Sequence, residues 1–275
     1  MLDFKECNIT VVGFGARGAD SVAMLKSGAV SGVHYQVPDV PVDESEFGES
    51  DIQRQFPQVF ADIGLLILLI DNLSPAELRM AFELASREVD APYFVMAIGN
   101  SVADIDNFKA QSTEGRQLGA GTCVCLVASD ANEDESGRMQ HDERSRGDKL
   151  RSSIRGVAEL LLRQDMVCFD LADLRSVLSM PGLVHFGFAC AEGVGKEKQV
   201  AKLAIDSIPD GWLKVRSARG VVACILYEEG FGLASWSDIG DELEAYLSDD
   251  CTVVTAARVA SGVGGRVELI LYVLG

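Results

Sequence analysis

The chain has 275 residues, enough for one large domain or two ordinary ones, and its apolar share of 48% suffices for a full core. With 42 acidic and 24 basic residues the formal net charge is -18, the sign that nucleic acid and anionic membrane surfaces repel. The longest apolar run, residues 63–70, falls far short of the ~20 residues that span a bilayer, and the N-terminal stretch MLDFKECNIT has no basic segment followed by an apolar one, so a signal peptide is not expected.

Strand and helix patterns alternate from the start. NITVVGFG reads as a buried strand of β-branched residues, and 19–27 as a helix that Gly28 closes. VHYQV is a short second strand. Residues 38–60 are polar and rich in Pro, Asp and Glu, a loop with one helical turn around 52–60. GLLILLI is a strand buried on both faces, Ser74-Pro75-Ala76-Glu77 opens a helix, and YFVMAIG and GTCVCLVA are further strands. Residues 129–148 are so polar that a mobile loop is expected. From Lys149 to about Met166, Ile154, Val157, Ala158, Leu161 and Leu162 recur at helical spacing. A short helix follows, then strand LVHFGFAC, helix 196–207, strand GVVACILY, helix 236–247 and strands CTVVTAARV and RVELILYVLG. Parallel strands need crossover helices, so the expected architecture is α/β: a doubly wound parallel sheet of nucleotide-binding type, a long central helix, and a smaller mixed α/β C-terminal domain with helices on one face. The expected division is 1–148, 149–178 and 179–275.

Seven cysteines, at 7, 123, 125, 168, 190, 224 and 251, include no CxxC pair, and with only three histidines they offer no zinc spacing and no metal site. An odd number on apolar runs reads as reduced, buried thiols of a cytoplasmic protein. His185, on an apolar strand, reads as a core histidine.

Gly13, Gly15 and Gly18 form a GxGxxG between a strand and a helix. Glycines let a backbone approach a phosphate, and the helix start supplies free N–H groups and partial positive charge. Asp39, 21 residues past Gly18, stands near where a dinucleotide fold places its ribose acid. A nicotinamide-dependent oxidoreductase is therefore one reading, although the second half offers no catalytic His, Tyr or Lys arrangement. A tight glycine-packed turn without a ligand is the other.

The second half carries a stronger signal. GDKLRSSIRGVAELLLRQDMVCFDLADLRSVL, from Gly147, resembles the central helix and acidic loop of the FtsZ/tubulin family, bacterial FtsZ in particular. The likeness continues through GLVHFGFACAEG, KQVAKLAIDS, ARGVVACILY and CTVVTAARV, and VVGFGARGADSV resembles the family's first phosphate loop. The resemblance implies that Gly13, Gly15, Ala16, Arg17 and Gly18 stand where nucleotide phosphates are cradled. Asp20 stands where an asparagine approaches base or sugar, and Asp148 where an aspartate recognises guanine. Asp170 and Asp173 stand where two acids reach the next subunit of a filament and orient the attacking water; Cys168 replaces the asparagine of that loop. Asp148, Asp170 and Asp173 each also fit plain helix capping.

The family's second glycine loop, GGGTG followed by Ser or Thr and Gly, is replaced by Asp71-Asn72-Leu73-Ser74-Pro75. Ser74 and Glu77 have the spacing of a capping box, with Pro75 at the favoured first helical position. Asp71 and Glu77 add negative charge beside the phosphate position. Arg17 would either clamp a phosphate or plug the pocket against Asp71 or Glu77; the plug needs only groups the chain itself supplies. The expectation is a subunit with a degenerate GTP or GDP site, at most a weak GTPase, that meets itself or another FtsZ-like subunit head to tail and caps, copolymerises or regulates. The alternative is a divergent GTPase completed between two subunits. The chain stops at Gly275, directly after the last strand, which argues for no direct membrane contact.

Overall fold

The computed structural model describes residues 8–27, 32–39, 64–86, 93–112, 117–118, 122–127, 146–162, 169–228, 231–260 and 263–275. The loop expectations at 38–60 and 129–148, the closing Gly28, and Cys168 lie wholly or largely outside these residues. The chain forms two compact units, Met1–Leu126 and Val127–Gly275.

In the first unit the strands β1 (Asn8–Gly13), β2 (Val33–Gln36), β3 (Gly64–Leu69), β4 (Tyr93–Gly99) and β5 (Thr122–Leu126) are all parallel, in the order β2-β1-β3-β4-β5. Every residue of β3 is buried, as its unbroken aliphatic run requires in a parallel sheet covered on both faces. Helix α1 (Gly15–Ser27) links β1 to β2, α2 (Pro75–Ser86) links β3 to β4, and α3 (Val102–Lys109) links β4 to β5. Right-handed crossovers put α1 on one face and α2 and α3 on the other. Phe82 meets Phe108 edge to face at 5.7 Å between ring centroids, joining α2 to α3. Strand order reverses at β1, so the crevice beyond the carboxyl ends of β1 and β3 is the topological switch point where such sheets bind ligands.

Two local readings change. α1 begins at Gly15 rather than at 19, because the Gly18 amide donates to the Phe14 carbonyl at 3.0 Å and closes the first helical turn inside the glycine segment. α3 was not foreseen; its signal is the spacing Ser101-x-x-Asp104, which forms a full capping box.

In the second unit α4 (Arg146–Leu162) and α5 (Leu171–Leu178) precede β6 (Val184–Ala191), α6 (Lys196–Asp206), α7 (Gly211–Arg216), β7 (Gly220–Tyr227), α8 (Leu233–Glu244), β8 (Thr252–Val259) and β9 (Val267–Leu274). The strands lie in the order β6-β9-β7-β8; β9 runs antiparallel to β6 and β7, and β7 is parallel to β8. Helices cover both faces of this mixed sheet, not one. Val221, Ala223, Ile225, Leu271 and Val273 pack against Val200, Ala204 and Ile205 of α6 and Ile239 and Leu243 of α8. On the opposite face α4 and α5 cover the alternate residues. Gly156 lets α4 come down onto Ile270 and Tyr272, and the Tyr272 hydroxyl donates to the Ser153 carbonyl. The Arg258 guanidinium, only 1% exposed, donates to the carbonyls of Glu159 at 3.3 Å and Leu160 at 3.2 Å, a cation on the last turn of α4. Arg155 pairs with Glu268 at 3.1 Å on the same face. These contacts explain the helical cover on this side: α4 is long enough to bury an aliphatic stripe of its own, which the short-range pattern of the following segments does not reveal.

Candidate functional site

The glycine turn is built by contact between its own ends. A side chain on Gly13 would strike the Gly18 carbonyl, and one on Gly18 would strike the Gly13 backbone, so both glycines serve strand-to-helix packing. Gly15 has φ +62°, the left-handed region that glycine enters without steric cost, and so turns the chain directly into α1. The amides of Gly15, Ala16 and Arg17 are the starting amides of that helix. Ala16 and Arg17 are exposed, and Asp20 lies exposed one turn further on.

The β3–α2 connection stands beside this turn. Ser74 caps α2 and forms the expected box with Glu77: the Ser74 amide donates to Glu77 Oε2 at 2.7 Å, and the Glu77 amide donates to Ser74 Oγ at 3.4 Å. The Asn72 amide donates to Asp104 Oδ1 at 2.8 Å, and Asn72 takes a left-handed φ of +48°. Three amides of the segment 72–77 are thus satisfied by the protein's own side chains. Asp104 is the residue that sequence reasoning missed. It also accepts from the Ser101 amide at 3.1 Å and the Ser101 hydroxyl at 2.7 Å, and so ties the β3 and β4 connections together.

Two charged contacts complete the site. Arg17 faces the buried Asp71, with Nη1 3.8 Å from Oδ1; the arginine side chain is 59% exposed and the aspartate 9%. The distance is that of a loose ion pair and not of a hydrogen bond, and water screens it on the arginine side. Of the partners expected for Arg17, Asp71 is the one it faces. Glu77 abuts the glycine turn: a side chain on Gly15 would collide with Glu77 Oε1 and crowd the rest of its carboxylate. Asp39 is exposed just beyond β2, the strand parallel to β1 on the side away from β3.

In the second unit Asp170 and Asp173 come together in one capping box at the start of α5. Asp170 Oδ1 accepts from the amides of Ala172 at 2.7 Å and Asp173 at 3.0 Å, while Asp173 Oδ2 accepts from the Asp170 amide at 2.9 Å. The capping use of these acids is realised, and it orients both carboxylates rigidly at an exposed helix start. Asp148, in the first turn of α4, pairs with Arg151 at 3.6 Å.

Other candidate chemistry falls away. Burial pushes the Cys125 thiol up to about 12 and raises Cys123 and Cys224 also, so these are packing thiols rather than nucleophiles. Cys190 and Cys251 are only half-buried, contrary to the expectation for all the cysteines. Burial, helped by Lys214, brings His185 down to about 4 and keeps it neutral. Among the described residues no cluster of three or more His, Cys, Asp or Glu side chains could hold a metal ion, and no helix is long and apolar enough to cross a membrane.

Known proteins resemble this arrangement at two levels. No protein-family profile matches the chain. Cell division protein FtsZ of Pseudomonas putida is 28% identical over 134 residues, a stretch covering 44% of this chain and 34% of that protein. The empty FtsZ dimer of M. jannaschii superposes with a TM-score of 0.72 at 15% identity, covering 100% of this chain and 90% of that one. The chain has the FtsZ/tubulin fold. CetZ2 from Haloferax volcanii, solved as a GTPγS-bound protofilament, superposes with a TM-score of 0.64 at 15% identity, covering 97% of this chain and 92% of that one. The sequence match spans about a third of the FtsZ relative's length, whereas the fold likeness runs through nearly the whole chain. Within this superfamily fold, the chain has a capped, carboxylate-bearing helix start where its resemblance leads one to expect a second glycine loop.

Proposed function

We propose that this chain is a member of the FtsZ/tubulin superfamily, a cytoplasmic subunit with a degenerate GTP site that joins FtsZ-like filaments as a capping, copolymerising or regulatory component. The observation that carries the reading is the state of the β3–α2 connection. The amides of Asn72, Ser74 and Glu77 are taken by Asp104, Glu77 and Ser74, so few donors remain for a β- or γ-phosphate. Charge works in the same direction. A carboxylate ~5 Å from a phosphate oxygen at an effective dielectric of ~20 costs roughly 3 kcal/mol, and Asp71 and Glu77 both stand beside the turn. GTP or GDP would bind weakly, through Gly13, Gly15, Ala16, Arg17, Gly18 and Asp20; the resemblance alone assigns Asp148 to recognition of guanine.

Asp170 and Asp173 are retained and held firmly. In the proposed role they are the acidic pair that meets the nucleotide face of the next subunit. Head-to-tail stacking is a heterologous contact, so a subunit that keeps one face and loses the other can join a filament end without extending it. In functional terms the nucleotide-binding part is assigned to residues 1–148, the central helix and acidic segment to 149–178, and the remainder to 179–275.

Light scattering and pelleting of an FtsZ from the same cell, with and without this protein, test the proposal. Polymer mass or length should change at substoichiometric ratio; no effect at equimolar ratio counts against it. GTP hydrolysis by this protein alone, rising with its concentration and abolished by Asp173→Ala, would favour the divergent-GTPase reading instead.

A further inference from the structure

We infer that Glu77 is a tethered anion occupying the phosphate position of the glycine turn, so that the site is filled by the protein's own carboxylate and not merely impaired. This rests on the functional reading above and states how the site is regulated. Three observations converge. Glu77 Oε1 lies directly against Gly15, the residue whose left-handed backbone opens α1, so the carboxylate borders the helix start where an anion is favoured. Its other oxygen is anchored by the Ser74 amide at 2.7 Å, which fixes the side chain over the turn. The connection that carries Ser74 is itself pinned through Asn72 to the buried Asp104. A phosphate group entering the turn must displace Glu77 and break the α2 cap, or share the space with a like charge. Arg17, which would otherwise attract the phosphate, is turned toward Asp71. The ligand class that the turn would accept once Glu77 is removed is a pyrophosphate-bearing nucleotide, and the glycine turn remains structurally intact for it.

The test compares the unaltered protein with Glu77→Gln and Glu77→Ala, using inorganic pyrophosphate and GDP as probes in calorimetric titrations and thermal unfolding. The glutamine variant retains an oxygen acceptor for the Ser74 amide and removes the charge; the alanine variant empties the position. The unaltered protein should show no binding below millimolar concentration. Glu77→Ala should bind pyrophosphate and GDP at least a hundredfold more tightly, roughly the effect of removing one like charge at about 5 Å, and Glu77→Gln, which loses the charge but keeps the side-chain volume, should gain a smaller but measurable part of that, about tenfold. Glu77→Ala should unfold at a lower temperature in plain buffer and recover most of the loss on addition of pyrophosphate, with sodium chloride of equal ionic strength giving no recovery. If both variants keep the circular dichroism of the unaltered protein but gain no affinity, the inference is overturned. Should the alanine variant fail to fold, the glutamine variant decides alone. Submillimolar pyrophosphate binding by the unaltered protein overturns it with no variant required. A gain of affinity in Glu77→Gln, with no effect of the unaltered protein on FtsZ polymers, would leave this inference standing and remove the filament role.

Discussion

The carboxylate of Asp104 accepts the amide of Asn72 at 2.8 Å, joining two connections 32 residues apart in the chain. The same carboxylate caps α3 through Ser101, so one buried acid holds both the ligand-side loop and the helix next to it. Asp104→Ala should therefore destabilise the protein by about 3 kcal/mol, a cap plus a buried charged hydrogen bond. Asp106→Ala, exposed on the same helix, should stay within about 0.5 kcal/mol. Urea unfolding of the two variants checks the contrast.

Arg17 and Asp71 make a different kind of pair. With 3.8 Å between the charged atoms and the arginine mostly in water, Arg17→Ala should cost less than about 1 kcal/mol. The difference should shrink further in high salt. A loss of several kcal/mol, measured by the same unfolding curves, would mean that the pair is a structural lock and not a movable plug.

Asp170 has two roles that conservative substitution separates. Asparagine caps a helix about as well as aspartate, so Asp170→Asn should retain stability, whereas Asp170→Ala should lose about 1 kcal/mol. Under the filament proposal both variants should lose the effect on FtsZ polymers, because each removes the negative charge offered to the neighbouring subunit. Retained polymer activity in Asp170→Asn would reduce the residue to a cap.

His185 makes stability depend on pH. In the unfolded chain its imidazole takes up a proton near 6.5, but in the folded protein only near 4. Between these values the unfolded state binds more protons, so the contribution is complete above pH 6.5 and is lost as pH falls toward 4. Replacing His185 with Gln should flatten the stability profile in that window and leave the profile above pH 7 unchanged in slope. Urea midpoints at pH 7.0, 5.5 and 4.5 would reveal it.

Local spacing was legible because helix geometry alone relates residues three apart. Ser74 with Glu77 and Asp170 with Asp173 both form the boxes their spacing implies. Strand identities were likewise readable, since β3, β7 and β9 are long aliphatic runs with no competing helical period. α3 was overlooked although Ser101 and Asp104 carried the same spacing, because the polar residues around them show no wide apolar stripe. The helix at 233–244 starts three residues before its expected position, since Gly232 serves as its cap without any side-chain signal.

What the sequence determined by itself was the alternation of elements, the glycine turn and the presence of acids at three helix starts, all set by interactions within a few residues. Only the tertiary structure decided that β9 enters antiparallel between β6 and β7, that Arg17 turns to Asp71, that Asp104 holds Asn72, and that Glu77 lies against Gly15. Such choices depend on which strands become neighbours and on how far each connection reaches beyond the sheet. The burial of the whole core sets both, and no periodicity along the chain encodes them.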